Sequence, residues 1–249
     1  MANANTPTPR MLDEAGLEPG MRVLDVGCAM GLLTRDLAVR VGPGGAVVGI
    51  DCDASRLTDA RGQEAAPGSA PIDYVAADLA QALPDLGTFD AIIGRRVLMY
   101  LSDPATALKR LVALLRPGGI MAWHEHAGIG CPFSAVPLPL HQQLAGWIWQ
   151  TIEHEGGRRE TALRLPAMLG NSGIAVASLR GEAIFIGGPL GSDAANMARM
   201  MLPRMHAAGV IDTVALDEEV FIAGLVAEAE TLDAPILWDM AYLVIGRKV

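Results

Sequence analysis

Lysine is nearly missing from this chain: 2 of its 19 basic residues are lysine and 17 are arginine, against 28 acidic residues and a net charge of −9. A chain of that sign repels phosphate backbones, which excludes non-specific nucleic-acid binding. Cysteine is scarce as well. Three cysteines, an odd number with no C-x-x-C pair, argue against a disulfide framework and against a zinc site, so the expected compartment is reducing and cytoplasmic. Long hydrophobic runs are also lacking. The longest stretch without Asp, Glu, Lys or Arg, His126–Ile152, is interrupted by Pro132, Pro137 and Pro139 and by His141, Gln142 and Gln143. What remains, Leu144–Ile152, falls far short of the roughly 20 residues of a membrane span, so no membrane partner is expected. Met1–Arg10 is polar and Pro-containing, without the apolar core of a signal peptide.

The 249 residues suit one large domain, or a core with an inserted cap. The first half alternates short β-branched runs with helical patterns, the signature of βαβ units around a parallel sheet. Strands are expected at Arg22–Val26, Ala46–Asp51, Ile72–Ala76, Phe89–Gly94 and Ile120–Glu125. Helices are expected between them at Gly31–Val41, Ala54–Glu64 and Asp103–Leu115. After Glu125 the rhythm changes: helices at Leu140–Glu155 and Thr161–Leu169, long strands at Val176–Ile186 and Trp238–Arg247, and between those strands helices at Asp193–Ala208 and Asp217–Glu230. This pattern predicts an N-terminal segment (1–18), an α/β core (19–126), a helical cap insertion (127–170) and the end of the sheet with inserted helices at 193–230 (171–249). Seven of the acids lie in Asp212–Asp233 without one basic residue, which reads as a solvated face of one cap helix.

The informative segment is Val23–Gly31, VLDVGCAMG: an acid within a strand, a small-residue loop, then a helix. Glycine at 27 and 31 lets backbone approach a ligand, and a helix start offers unpaired N–H groups. Asp51, 20 residues after Gly31 at the end of the second strand, can accept both hydroxyls of a ribose. Asp78 follows the third strand, where an adenine amino group could meet it. Acids at successive strand ends converge on one crevice at the carboxyl edge of the sheet.

Here VLDVGCAMG, VVGID, ADL, FDAIIGRRVLMYLSDP and LLRPGGIMAWHE resemble, in order, the signature segments of class I S-adenosylmethionine-dependent methyltransferases, over about Pro19–Glu125. The resemblance implies a Rossmann-like seven-stranded sheet with the last strand antiparallel and S-adenosyl-L-methionine as cofactor, leaving as S-adenosyl-L-homocysteine. It puts Asp25, Gly27, Cys28, Ala29 and Gly31 beside the methionine part of the cofactor, with Gly94 and Arg95. It gives Asp51 the ribose, with Cys52 beside it, and Asp78 and Leu79 the adenine edge. Ala29 stands where the family commonly has glycine. A dehydrogenase reading fits less well, because Gly27, Ala29 and Gly31 are spaced by two and two rather than as G-x-G-x-x-G. Cys28 and Cys52 read as small lining residues, with no activating base near either in sequence.

Methyl transfer needs a base only where the acceptor must lose a proton. Candidates are His126 and Glu125 at the end of the fifth strand and His141 on the cap helix; alternation puts His124 and His126 on one side of the strand and Glu125 on the other. Magnesium prefers oxygen ligands, and one carboxylate between two imidazoles fits it poorly, so no metal is expected. Arg96 could clamp an acidic substrate as Arg95 clamps the cofactor carboxylate. Trp147, with Met197 and Met201 of a methionine stripe, suggests an apolar wall for a polyketide, quinone or terpenoid of secondary metabolism. The leading expectation is O- or C-methylation of such a small molecule. A methyltransferase fold doing cyclisation, hydroxylation or decarboxylation, and a non-catalytic cofactor-binding module, are the alternatives. A homodimer is left open.

Overall fold

The computed structural model describes residues 7–130, 132–187, 194–212 and 216–249; Cys131 and the expected helix start at Asp193 lie outside them. Seven strands form one sheet: β1 Arg22–Val26, β2 Ala46–Asp51, β3 Ile72–Ala76, β4 Phe89–Arg95, β5 Leu115–His126, β6 Ile174–Ile186 and β7 Ile236–Lys248. Their order is β3-β2-β1-β4-β5-β7-β6. The first five run parallel, and β7 is antiparallel to both β5 and β6. β1 and β4 sit mid-sheet and are buried on both faces, which is why they read as continuous apolar runs rather than alternating ones. Between them lies the switch point of the topology, where a doubly wound sheet opens a crevice at its carboxyl edge.

Helices cover both faces: α1 Pro7–Ala15, α2 Leu32–Val41, α3 Ala54–Arg61, α4 Pro104–Ala113, α5 Pro139–His154, α6 Thr161–Gly170, α7 Ala194–Ala207 and α8 Glu218–Glu230. On one face Leu24, Ile92, Met121 and Trp123 meet Leu108 and Leu111 of α4 and Leu165 of α6. On the other, Val23, Ile93 and Ala122 meet Leu37 and Val41 of α2 and Met11 and Leu12 of α1. α4 begins as its sequence predicts, with the Asp103 side chain accepting from the Thr106 N–H at 3.0 Å and proline in the first turn.

Three expectations are corrected. The segment 1–18 carries no expected element, yet Pro7–Ala15 is helical, because Met11, Leu12 and Ala15 form a short apolar face against β5 and β7. Burying Met11 and Leu12 contributes about 2 kcal/mol each. Strand β5 begins at Leu115 rather than Ile120, running through Pro117-Gly118-Gly119 with an irregular register opposite Phe89–Ala91. The acidic run of α8 is not all solvated: Glu228 turns inward and accepts from the N–H groups of Leu140 (2.9 Å) and His141 (3.2 Å), capping α5.

A third apolar cluster makes the cap. Leu144, Leu202, Phe221, Leu225 and Trp238 are buried together, joining α5, α7 and α8 to the end of β6 and the start of β7. Register places this cluster above the carboxyl edge, because His126 at the end of β5 pairs with Ala241 while β7 begins five residues earlier. The methionine stripe belongs mainly to this core: Met205 is buried, Met197 and Met201 are partly buried against it, and Met200 faces solvent. Among the described residues no helix is long and apolar enough to cross a membrane.

Candidate active site

The crevice is built from the loop after β1, the ends of β2 and β4, and the end of β5. Asp25 is buried on β1, and its Oδ2 accepts from the Thr34 hydroxyl at 2.6 Å. Its Oδ1 is buried without a partner. Burial pushes its pKa up to about 7 against the opposing Thr34 hydrogen bond and the Arg95 charge. Arg95, at the end of β4, is half-buried and, among the described residues, donates to no carboxylate or carbonyl, unlike Arg22, Arg40, Arg110 and Arg204, which all do. Burial, then the neighbouring Arg96 charge, pushes Arg95 down from its ordinary value. An orphaned buried acceptor beside a partnerless guanidinium is the complement of an amino acid's ammonium and carboxylate.

The loop between them is tight for internal reasons. Gly27, Ala29 and Gly31 all have positive φ. A Cβ on Gly27 would meet Val97 Cγ2 at 2.5 Å, and one on Gly31 would overlap the Tyr74 phenol. These two glycines are therefore required by protein neighbours, not by a ligand alone. Ala29 keeps φ at +48° despite its methyl group, and its N–H donates to Asp51 Oδ2 at 2.9 Å. Asp51 Oδ1 accepts from the Asp53 N–H at 3.0 Å, so this carboxylate ties the loop to the end of β2 and retains lone pairs toward the crevice. Gly94 is buried against the Trp123 ring, which occupies the space of a side chain there.

Asp78 is exposed, its Oδ1 accepting from the Ala80 N–H at 2.8 Å, and Leu79 beside it is buried. A cavity of about 120 Å³ lined by Leu79, Leu101, Asp103 and Arg110 adjoins them. The larger open groove, about 550 Å³, lies at the far edge between α3 and β3, away from these strand ends. Cys28 is buried, and burial with the Asp25 and Asp51 charges pushes its pKa up to about 12; burial and Asp51 also raise exposed Cys52. Neither thiol is activated.

The end of β5 departs from a simple base pair of side chains. Glu125 is fully buried on the face opposite the histidines, accepting from the N–H groups of Val97 (2.9 Å), Leu98 (2.9 Å) and Met99 (3.3 Å). It thus caps the short 3₁₀ turn Leu98–Tyr100 and shapes the loop carrying Arg96. Burial raises its pKa to about 7 against those hydrogen bonds. His126 lies 3.3 Å from Asp239 through Nδ1 and 3.0 Å from His124 through Nε2, while His124 Nδ1 lies 2.8 Å from the Thr8 hydroxyl. The two imidazole Nε2 atoms face each other at hydrogen-bond distance, so one carries the proton and the other the lone pair. Burial, with His126, Arg96 and Arg95 nearby, pushes His124 down to about 2 and keeps it neutral. Both ring nitrogens of His126 therefore face protein, and Glu125 and His126 do not come together. Among the described residues no cluster of His, Cys, Asp or Glu could hold a metal ion.

His141 differs. Its ring is buried, Nδ1 lies 2.8 Å from Glu228, and Nε2 is without a partner. Trp147, also of α5, packs against Phe221 within the cap, ring centroids 5.0 Å apart and tilted by 41°. Thr8, Thr34, Glu228 and Asp239 were not expected at this site: Thr34 comes from the first turn of α2, nine residues after Asp25, while the other three are brought in from distant parts of the chain, where no spacing announces them.

This frame is that of a nucleotide-type cofactor bound at the switch point of a doubly wound sheet. Residues 17–156 match the methyltransferase-domain family, and the chain belongs to it. An uncharacterized methyltransferase of Mycobacterium tuberculosis is 36% identical over 143 residues, 52% of this chain and 69% of that protein. A ubiquinone biosynthesis O-methyltransferase of Chelativorans is 38% identical over 103 residues, 41% of this chain and 39% of that one. The cyclopropane synthase of M. tuberculosis shares the fold at TM-score 0.60 and 19% identity, over 95% of this chain and 81% of that one. The protein is an S-adenosylmethionine-dependent methyltransferase.

Proposed function

We propose that the protein methylates an oxygen, or an enolisable carbon, of a small and largely apolar natural product held beneath the cap, with His141 as the base. When bound, the cofactor supplies an electrophilic methyl group on sulfur. Asp25 and Arg95 would hold its amino-acid end, with Gly27, Cys28, Ala29, Gly31 and Gly94 around it. Asp51, flanked by Cys52, would accept the ribose hydroxyls, and Asp78 and Leu79 would border the adenine. Trp147, Met197 and Met201 would form the apolar side of the acceptor site, with Arg96 at its polar end. Glu125 and His126 act as positioning residues, since neither presents a free atom.

The observation that carries the reading is the partnerless Nε2 of His141. Glu228 holds Nδ1–H and so leaves the Nε2 lone pair as a buried, unused acceptor, which is the arrangement a general base requires. The name of the ubiquinone-pathway relative supports oxygen as the methylated atom. Mass spectrometry of a phenol and quinol panel tests it: products heavier by one CH₂ should form with equal release of S-adenosylhomocysteine. His141→Gln should slow that release about 10²-fold or more while cofactor affinity holds. Altered product without homocysteine release would replace the reading with another chemistry in the same pocket.

A further inference from the structure

Arg96 combines a strained backbone with a side chain that holds no ion pair among the described residues. Its backbone sits at φ +55°, where a side chain other than glycine, asparagine or aspartate is strained. Two constraints hold it there: its N–H donates to the His124 carbonyl at 2.7 Å, and the next three N–H groups are fixed by Glu125. Among the described residues its exposed guanidinium has neither a carboxylate within ion-pair distance nor a carbonyl to donate to, whereas Arg22, Arg110 and Arg247, also without an ion pair, each donate to a backbone carbonyl. The nearby Glu125 carboxylate is committed to backbone N–H groups. Arg95 adds a second charge alongside. In a chain of net charge −9, this strand end gathers two adjacent cations that form no ion pair among the described residues.

We propose that Arg96 is the recognition group for a carboxylate on the acceptor, so that the substrate class is a small apolar acid bearing the methylated group elsewhere. The strained turn aims the guanidinium, and its planar fork matches a carboxylate. Arg95 serves the cofactor's own carboxylate, which leaves Arg96 for a second anion. This rests on the proposed small-molecule reading of the site, but binding tests it separately from turnover.

The test is calorimetry on the protein saturated with S-adenosylhomocysteine, titrated with benzoate, 2-naphthoate and octanoate and with the neutral amide of each. At least one acid should bind about tenfold or more tightly than its amide, as a charge-assisted bidentate pair requires. Arg96→Gln should abolish that preference, and Arg96→Lys should keep part of it, while S-adenosylhomocysteine affinity changes less than about twofold. Arg96→Gly should also lose the preference and, by relieving the positive φ, raise Tm by about 2–4 °C, which separates recognition from misfolding. Equal binding of acids and amides by the wild type overturns the proposal. So does loss of S-adenosylhomocysteine affinity in Arg96→Gln with the acid preference intact, which would give Arg96 to the cofactor. Acid preference without homocysteine release in turnover assays would leave this assignment standing and remove the methylation reading.

Discussion

The cofactor half and the cap are held together differently. In the cofactor half the central strands are buried on both faces, and at their carboxyl ends, among the described residues, Asp25 Oδ1 is buried without a partner and the Arg95 guanidinium holds no ion pair. In the cap the apolar side chains of α5, α7 and α8 satisfy one another, and among the described residues two buried ring nitrogens are left over, Nε2 of His141 on α5 and Nδ1 of His206 on α7. The contrast separates two tasks. A rigid frame must present charge complementary to one fixed ligand, whereas a cap must surround an acceptor and offer little beyond apolar surface and one base.

Rigidity of the first half is open to direct attack. Gly94→Ala drives a methyl into the fully buried Trp123 ring and should cost about 3 kcal/mol in denaturant unfolding. Gly224→Ala in α8 meets only the mobile end of Leu140, and the gain in helix propensity offsets it, so a change within about 0.5 kcal/mol is expected. Equal losses would erase the distinction between frame and cap.

A smaller effect sharpens it through pH. Asp25 is raised from 3.8 to about 7 in the folded state. Between those values the unfolded chain has released the proton and the folded one has not, so stability falls as pH rises from about 4 to about 7. Asp25→Asn removes this dependence. It should be more stable than wild type by on the order of 2 kcal/mol at pH 8 and nearly equal to it at pH 4, by thermal unfolding. The same variant should bind cofactor more weakly, because the acceptor for its ammonium is gone. An Asp25→Asn protein that gains no stability at pH 8 would mean the carboxylate is not held in a dry site.

What the sequence revealed follows the same division. Strand periodicity and the spacing from Gly31 to Asp51 are local signals, and β1, β2 and β3 fall at their expected residues. α1 escaped because three apolar positions in a polar, Pro-containing stretch make too short a period to register. The roles of Glu125 and Glu228 escaped because their partners are far along the chain: Glu125 caps N–H groups 26 to 28 residues away, and Glu228 those 87 and 88 away. An acid at a strand end and an acid in a charged run look alike in sequence. Only the fold tells a ligand-facing carboxylate from a cap.

The most direct test of this division of labour is calorimetric titration of S-adenosylhomocysteine into wild type, Asp51→Ala and His141→Gln. Asp51→Ala should lose about tenfold or more in affinity, since two hydrogen bonds to a charged group are removed, while His141→Gln should stay within about twofold of wild type. Unchanged binding by Asp51→Ala, or an equal loss in His141→Gln, would contradict it.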